Sequence, residues 1–295
     1  MRWTSEATQI VVSAALCSLQ ILFRCCYRLL AKCDMIKSSN RSWGSDDSWM
    51  AFALLPLICR SVAMIKVFSL RLSPSIEDQV LSQKLILVGR VFYALFLWSM
   101  KLCLLRFYKR LETGSNKVHY SLQILRAFIV ASFFATLLAT LFECQPLYIF
   151  WGHEYLHHPC RKGMSNLLTM GTLNIATDLA LILFPIPMLW RMTSLDFQAK
   201  LQLTLLFLVG ILVVAITITR LPLIFSQSVA QSTRSLWASI EIVCASIVAN
   251  ASFYYALWQG PNRYHPRPSV YEDSSTPFQL SSRPRNDSDS RLSTP

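Results

Sequence analysis

Residues 201–219 read LQLTLLFLVGILVVAITIT, nineteen positions without a charge, bracketed by Lys200 and Arg220. As an α-helix this run rises about 28 Å at roughly 1.5 Å per residue. That nearly matches a hydrocarbon layer of about 30 Å. The run carries only one Gly and no Pro, so nothing interrupts a helix. It reads as a membrane span, and it sets the scale against which the rest of the chain is judged.

Six further stretches have comparable length and character. Residues 7–23 are uncharged and run on towards Leu30, and 127–142 are uncharged but need the turns from Val118 to reach spanning length. Residues 164–189 contain one acid, Asp178, and 235–258 contain one, Glu241. The stretches 49–70 and 85–105 are interrupted by Arg60 and Lys66 and by Arg90 and Lys101 respectively. Composition agrees: 53% of the 295 residues are hydrophobic and 15% charged. A soluble domain carries about a quarter of its residues as charges. A soluble globule, a disordered chain and a disulfide scaffold are all excluded, and an all-α, seven-transmembrane-helix bundle is expected.

The first apolar run lacks the basic segment that precedes it in a signal peptide, and its positive cluster follows it instead. Loop cations fix the orientation. With the N-terminus outside, thirteen Lys and Arg fall in the cytoplasm, among them Arg24, Arg28, Lys109 and Lys200, against six outside: Arg2, Arg71, Lys84, Arg161, Lys162 and Arg234. The C-terminus is then cytoplasmic. The net charge of +12 reads as positive loops facing anionic lipid, not as a nucleic-acid surface. Residues 1–258 form the membrane domain. Residues 259–295 form a cytoplasmic tail expected to be disordered, since ten Ser or Thr and six Pro between 260 and 295 leave little apolar surface to bury. Such a tail suits phosphorylation and a cytosolic signalling partner.

Topology also sorts the nine cysteines. Cys17, Cys59, Cys103 and Cys244 lie in spans as small apolar side chains. Cys25, Cys26 and Cys33 are juxtamembrane and open to acylation. Only Cys144 and Cys160 lie outside, which leaves one disulfide pairing. Between them His153-Glu154-Tyr155-Leu156-His157 matches the HExxH zinc spacing, but Gly152 and Pro159 leave no long helix to carry it. It reads as loop, and no metal or other cofactor is expected.

A charge at the bilayer centre costs roughly 2.5–3.5 kcal/mol, so charges there face the bundle interior and are partnered. Asn174 and Asp178 share one face of the fifth span, Glu241 lies on the seventh, and Arg60, Lys66, Arg90, Lys101 and Arg220 are the candidate cations. We expect Asp178 to pair with Arg60 or Lys101 and Glu241 with Arg90 or Arg220. Asn174, Asp178, Arg220, Glu241, Lys101 and Arg60 then form either a pocket for an unknown small molecule or a polar network bracing the helices. The last span contains no lysine, so a retinal Schiff base is not expected. No catalytic residue stands out.

Short motifs carry a family likeness. They are Trp43-Gly44-Ser45-Asp46-Asp47-Ser48-Trp49; Lys101 to Leu105 followed by Tyr108-Lys109-Arg110; and Phe142-Glu143-Cys144-Gln145-Pro146 with Trp151 and Cys160. Asn174, Asp178, Pro185, Pro187, Trp190, Lys200, Arg220 and Glu241 continue the series. Over about residues 8–258 the chain resembles the fungal rhodopsin-domain, appressorial-receptor-like heptahelical membrane proteins. The resemblance implies a receptor-like protein of the plasma membrane or an endomembrane, sometimes encoded beside secondary-metabolite pathways. It departs from that pattern in having no Cys-rich module ahead of the first span. The alternatives are a membrane-embedded enzyme of cyclase type, with Asp178 or Glu241 supplying a proton, or an accessory scaffold.

Overall fold

The computed structural model describes residues 2–33, 44–70, 75–111, 116–143, 164–186 and 231–258, and the isolated positions Ile211, Val214, Ala215 and Ile218. Apart from those four positions the 201–219 run lies outside the described residues. So do Arg220, Cys144, Cys160, the His153 to His157 motif and the tail. The described residues form six long helices: α1 Arg2–Lys32, α2 Ser45–Leu70, α3 Ile76–Leu111, α4 Asn116–Leu141, α5 Met164–Leu183 and α6 Gln231–Trp258.

Five of these contain segments long and apolar enough to cross a membrane: Glu6–Ala31, Asp46–Leu70, Ile76–Lys109, Val118–Leu141 and Ser165–Leu183. The sixth, α6, runs for 28 residues. Sequence and structure part company at several ends. Helix α3 starts at Ile76, where the sequence suggests loop up to about residue 84; Glu77 and Asp78 in its first turn favour an N-terminus there. Helix α6 starts at Gln231, so Arg234 is a helical residue and not a loop cation. Helix α5 ends at Leu183, short of the 189 at which the apolar run closes, because the residue before a proline is pushed out of the helical region and Pro185 follows. The last α5 bond of that turn runs from Phe184 N–H to Ala180 O at 3.1 Å.

Helix α3 is the central element, packing against α2, α4, α5 and α6, while α1 bridges α2 and α6. Its interior face carries Tyr93, Phe96, Leu97, Trp98 and Cys103 into the core. Trp98 Nε1 donates to Ser132 Oγ of α4 at 3.0 Å. Gly89 brings α3 close to α2, since a Cβ there would lie 3.3 Å from Met64 Sδ.

The bundle is apolar on its outside and buries polar groups among the hydrophobic side chains of its core. On α4, Phe134 and Leu138 are 54% and 52% exposed, whereas Ser132, Thr136 and Thr140 are at most 5% exposed. The buried hydroxyls donate along their own helix, Thr136 Oγ1 to Ser132 O at 2.9 Å and Thr140 Oγ1 to Thr136 O at 2.8 Å. Such a distribution is unfavourable in water, where exposed Leu and Phe cost free energy. In lipid it is favourable, because the only alternative for a polar group is hydrocarbon.

Candidate functional site

The centre of the bundle holds a cluster built on Lys101 of α3. Its ammonium group spends all three donors on α5: Asp178 Oδ1 at 2.6 Å, Thr177 Oγ1 at 2.7 Å and the Asn174 carbonyl at 3.0 Å. The 174, 177, 178 spacing places these groups on one face of α5. Thr177 passes its own proton back to Leu173 O at 2.8 Å, which leaves its lone pair for Lys101. The Trp98 ring lies one turn away on α3, 5.5 Å from the ammonium nitrogen, a favourable place for a cation.

Glu241 of α6 completes the cluster. It accepts from Asn174 Nδ2 at 2.7 Å and from the Tyr93 hydroxyl. The Tyr93 ring in turn lies 5.4 Å beneath the Arg60 guanidinium of α2. Four helices thus meet through seven side chains: Arg60, Tyr93, Lys101, Asn174, Thr177, Asp178 and Glu241. Asp178 Oδ2 and Asn174 Oδ1 are buried and have no hydrogen-bond partner among the described residues. Beside them lies a cavity of about 60 Å³, room for a few waters or the end of a slender molecule. Lys101, Glu241 and Tyr108 also line it, and the rest of its described lining is apolar, including Leu97, Leu104, Leu181, Ala245 and Val248.

Of the residues singled out in the sequence, Lys101, Asn174, Asp178 and Glu241 therefore converge, and Arg60 stands one side chain away through Tyr93. Arg220 and the Cys144 and Cys160 pair lie outside the described residues. Between the two cations considered for Asp178, the structure selects Lys101. Arg90 does not serve Glu241. It pairs instead with Glu143 at 3.2 Å, a residue just beyond α4 whose other oxygen accepts from Asn166 N–H at 3.0 Å. Burial pushes the Glu143 carboxyl above the usual carboxylate range, and the Asn166 N–H and Arg90 offset part of that rise.

A second ion-pair cluster went unread in the sequence. Arg24 and Arg28, counted there as loop cations, are buried on α1. Arg24 donates to Asp47 Oδ1 at 2.9 Å, to Asp46 Oδ2 at 2.7 Å and to the Ala249 carbonyl of α6 at 3.1 Å. Arg28 stands 3.5 Å from Asp47 Oδ2, and both guanidiniums lie 5.6 Å from the Phe253 ring centre. The available signal was the i, i+4 spacing of two arginines at the end of an apolar run, followed by paired acids opening the next helix. Cys25 is also buried in this core, which leaves Cys26 and Cys33 as the exposed thiols of that trio. Among the described residues no three His, Cys, Asp or Glu side chains come together as a metal site.

An all-helical bundle with several spanning-length apolar helices, an apolar exterior and a charged, hydrogen-bonded interior defines a multi-pass integral membrane protein. The fungal rhodopsin domain model matches residues 28–259, most of the chain, and the protein belongs to that family, whose members are receptor-like membrane proteins. Comparison with curated proteins and with solved structures gives no match.

Proposed function

We propose that the protein is a small-molecule receptor of seven spans, with its N-terminus outside and the cytoplasmic segment 259–295 as its output. The 201–219 run supplies the sixth span between α5 and α6, and a Cys144–Cys160 disulfide ties the outer loop. The observation that carries the ligand reading is the pair of buried acceptors, Asp178 Oδ2 and Asn174 Oδ1, which find no hydrogen-bond partner among the described residues and lie beside the largely apolar cavity. A network that only braced helices gains nothing by leaving two acceptors unsatisfied at roughly 1–3 kcal/mol each. A ligand with an apolar body and one hydroxyl or amine donor would satisfy one or both.

The same geometry weighs against the cyclase alternative. A catalytic acid must keep a proton to give. Both Glu241 oxygens accept, from Asn174 and Tyr93, and Asp178 Oδ1 accepts from the Lys101 ammonium, so neither carboxyl donates a hydrogen bond among the described residues. A role beside a secondary-metabolite pathway fits a ligand of this apolar, single-donor kind. The test uses cells producing the full chain, treated with a panel of apolar compounds bearing one hydroxyl or amine. At least one should change phosphorylation of the Ser and Thr residues in 260–295, and Ala245→Phe, which fills the cavity while keeping every polar side chain, should abolish the response. A tail unchanged by every compound, or a response retained in Ala245→Phe, would overturn the reading.

A further inference from the structure

Where α3 ends and α4 begins, a groove of about 40 Å³ lies between the two helices. Arg106 and Lys109 reach it from the last turns of α3, and His119, Gln123 and Arg126 from the first turns of α4. Leu105 and Leu122 supply its apolar wall, and no Asp or Glu is among its lining residues. The surrounding sequence is equally one-sided. Residues 102–130 carry Arg106, Lys109, Arg110, Lys117 and Arg126 against the single acid Glu112, which leaves the stretch at +4 whatever Glu112 contacts.

Depth and aspect say what the groove faces. Lys109, His119, Gln123 and Arg126 are all exposed, so it opens out of the bundle and not into the interior. Lys109 is the last residue of the apolar segment of α3 and Val118 the first of that of α4, which puts these helix ends at the membrane boundary. Arg126 lies eight residues beyond Val118, about 12 Å at roughly 1.5 Å per residue. Val130 and Phe134, exposed apolar residues, continue its row along α4 at i+4 and i+8. A guanidinium on an outward face at that depth is costly in hydrocarbon, and its long stem carries the charge back towards the boundary. There it shares the groove with Arg106 and Lys109. Three cations are thus gathered at the level of the lipid phosphates, beside an exposed apolar row that suits acyl chains.

We propose that the groove between α3 and α4 binds the headgroup of an anionic phospholipid, with its phosphate on Arg106, Lys109 and Arg126 and its chains along Val130 and Phe134. Guanidiniums hold phosphate oxygens in bidentate pairs and the lysine adds a point charge. A headgroup with a phosphate monoester therefore gains more here than a zwitterionic diester. With the N-terminus outside, these helix ends face the cytoplasmic leaflet, where anionic lipids are concentrated. The site is separate from the Lys101 cavity and does not depend on the receptor reading.

The test is native mass spectrometry of the full-length protein in neutral detergent, titrated with phosphatidylinositol 4-phosphate or with phosphatidylcholine of the same chains. The phosphoinositide should bind at least tenfold more tightly. Arg126→Gln and Lys109→Gln should each reduce that preference several-fold, whereas Lys66→Gln, which removes an exposed cation of α2 outside the groove, should leave it unchanged. Both site residues are exposed, so the variants should fold, with Tm in phosphatidylcholine as the check; should Arg126→Gln fail, Lys109→Gln carries the comparison. Equal affinity for the two lipids, or a preference lowered as much by Lys66→Gln as by the site variants, would overturn the proposal. So would displacement of the lipid by an equal concentration of soluble glycerol phosphate, which would assign the groove to a soluble acid.

Discussion

Lys101 is the residue on which the interior depends most, because it is the only described cation in contact with Asp178. Removing one partner of a buried pair leaves the other charge uncompensated, at about 3–5 kcal/mol. Lys101→Met should therefore lower Tm sharply in detergent, and adding Asp178→Asn should recover much of the loss. A double variant no more stable than the single one would show that the two charges are not coupled. The arginine cluster offers a graded comparison. Asp47 is fully buried and faces both Arg24 and Arg28, while Asp46 is 14% exposed and meets Arg24 alone. Asp47→Asn should accordingly destabilise more than Asp46→Asn by the same unfolding assay. Glu143 gives a dependence on pH. Its carboxyl sits above its ordinary range when folded, so the folded state holds the proton more tightly than the unfolded chain. Its contribution to stability then falls as pH rises from the ordinary carboxylate value to the raised one, and is flat beyond. The difference in Tm between wild type and Glu143→Gln, followed across that window, should shrink in the wild type's disfavour as pH rises.

At the scale of elements, the close approach of α2 and α3 rests on Gly89. An alanine there needs Met64 to yield by only a few tenths of an ångström, and the gain in helix propensity of about 1 kcal/mol offsets the strain. Gly89→Ala should be near neutral, whereas Gly89→Leu should cost about 1–3 kcal/mol by overpacking, read as loss of Tm. Spans were legible in the sequence because a bilayer demands about 20 apolar residues in a row, a constraint that leaves a plain trace. Helix ends were less so: α3 and α6 both begin earlier than their apolar runs, since a helix continues past the hydrocarbon edge wherever its backbone is satisfied. Among site residues, Lys101, Asn174, Asp178 and Glu241 stood out because charge and amide groups are costly in lipid. Tyr93 and Thr177 did not, since a hydroxyl in a span is commonplace and its partner is set by packing. Arg24 and Arg28 were misread because a cation beside an apolar run marks an interface by default, and their acids lie on another helix, 22 and 23 positions from Arg24.

For the whole molecule, the described bundle exposes apolar side chains and buries charged and polar ones within its hydrophobic core, and those buried polar groups are where function must be sought. They gather in the arginine and aspartate clamp of α1, α2 and α6 and in the Lys101 centre. The receptor proposal rests on the Lys101 centre, whose acceptors without a partner among the described residues and largely apolar walls are taken to receive a ligand. The most direct measurement is thermal unfolding of the purified full-length protein with apolar compounds carrying one hydroxyl or amine, each against its matched hydrocarbon. At a hundredfold excess over Kd a ligand stabilises by about 2.7 kcal/mol. At least one donor-bearing compound should raise Tm by several degrees, its hydrocarbon counterpart should not, and Ala245→Phe should remove the shift. A panel without any such compound, or a shift of equal size in Ala245→Phe, would contradict the receptor proposal.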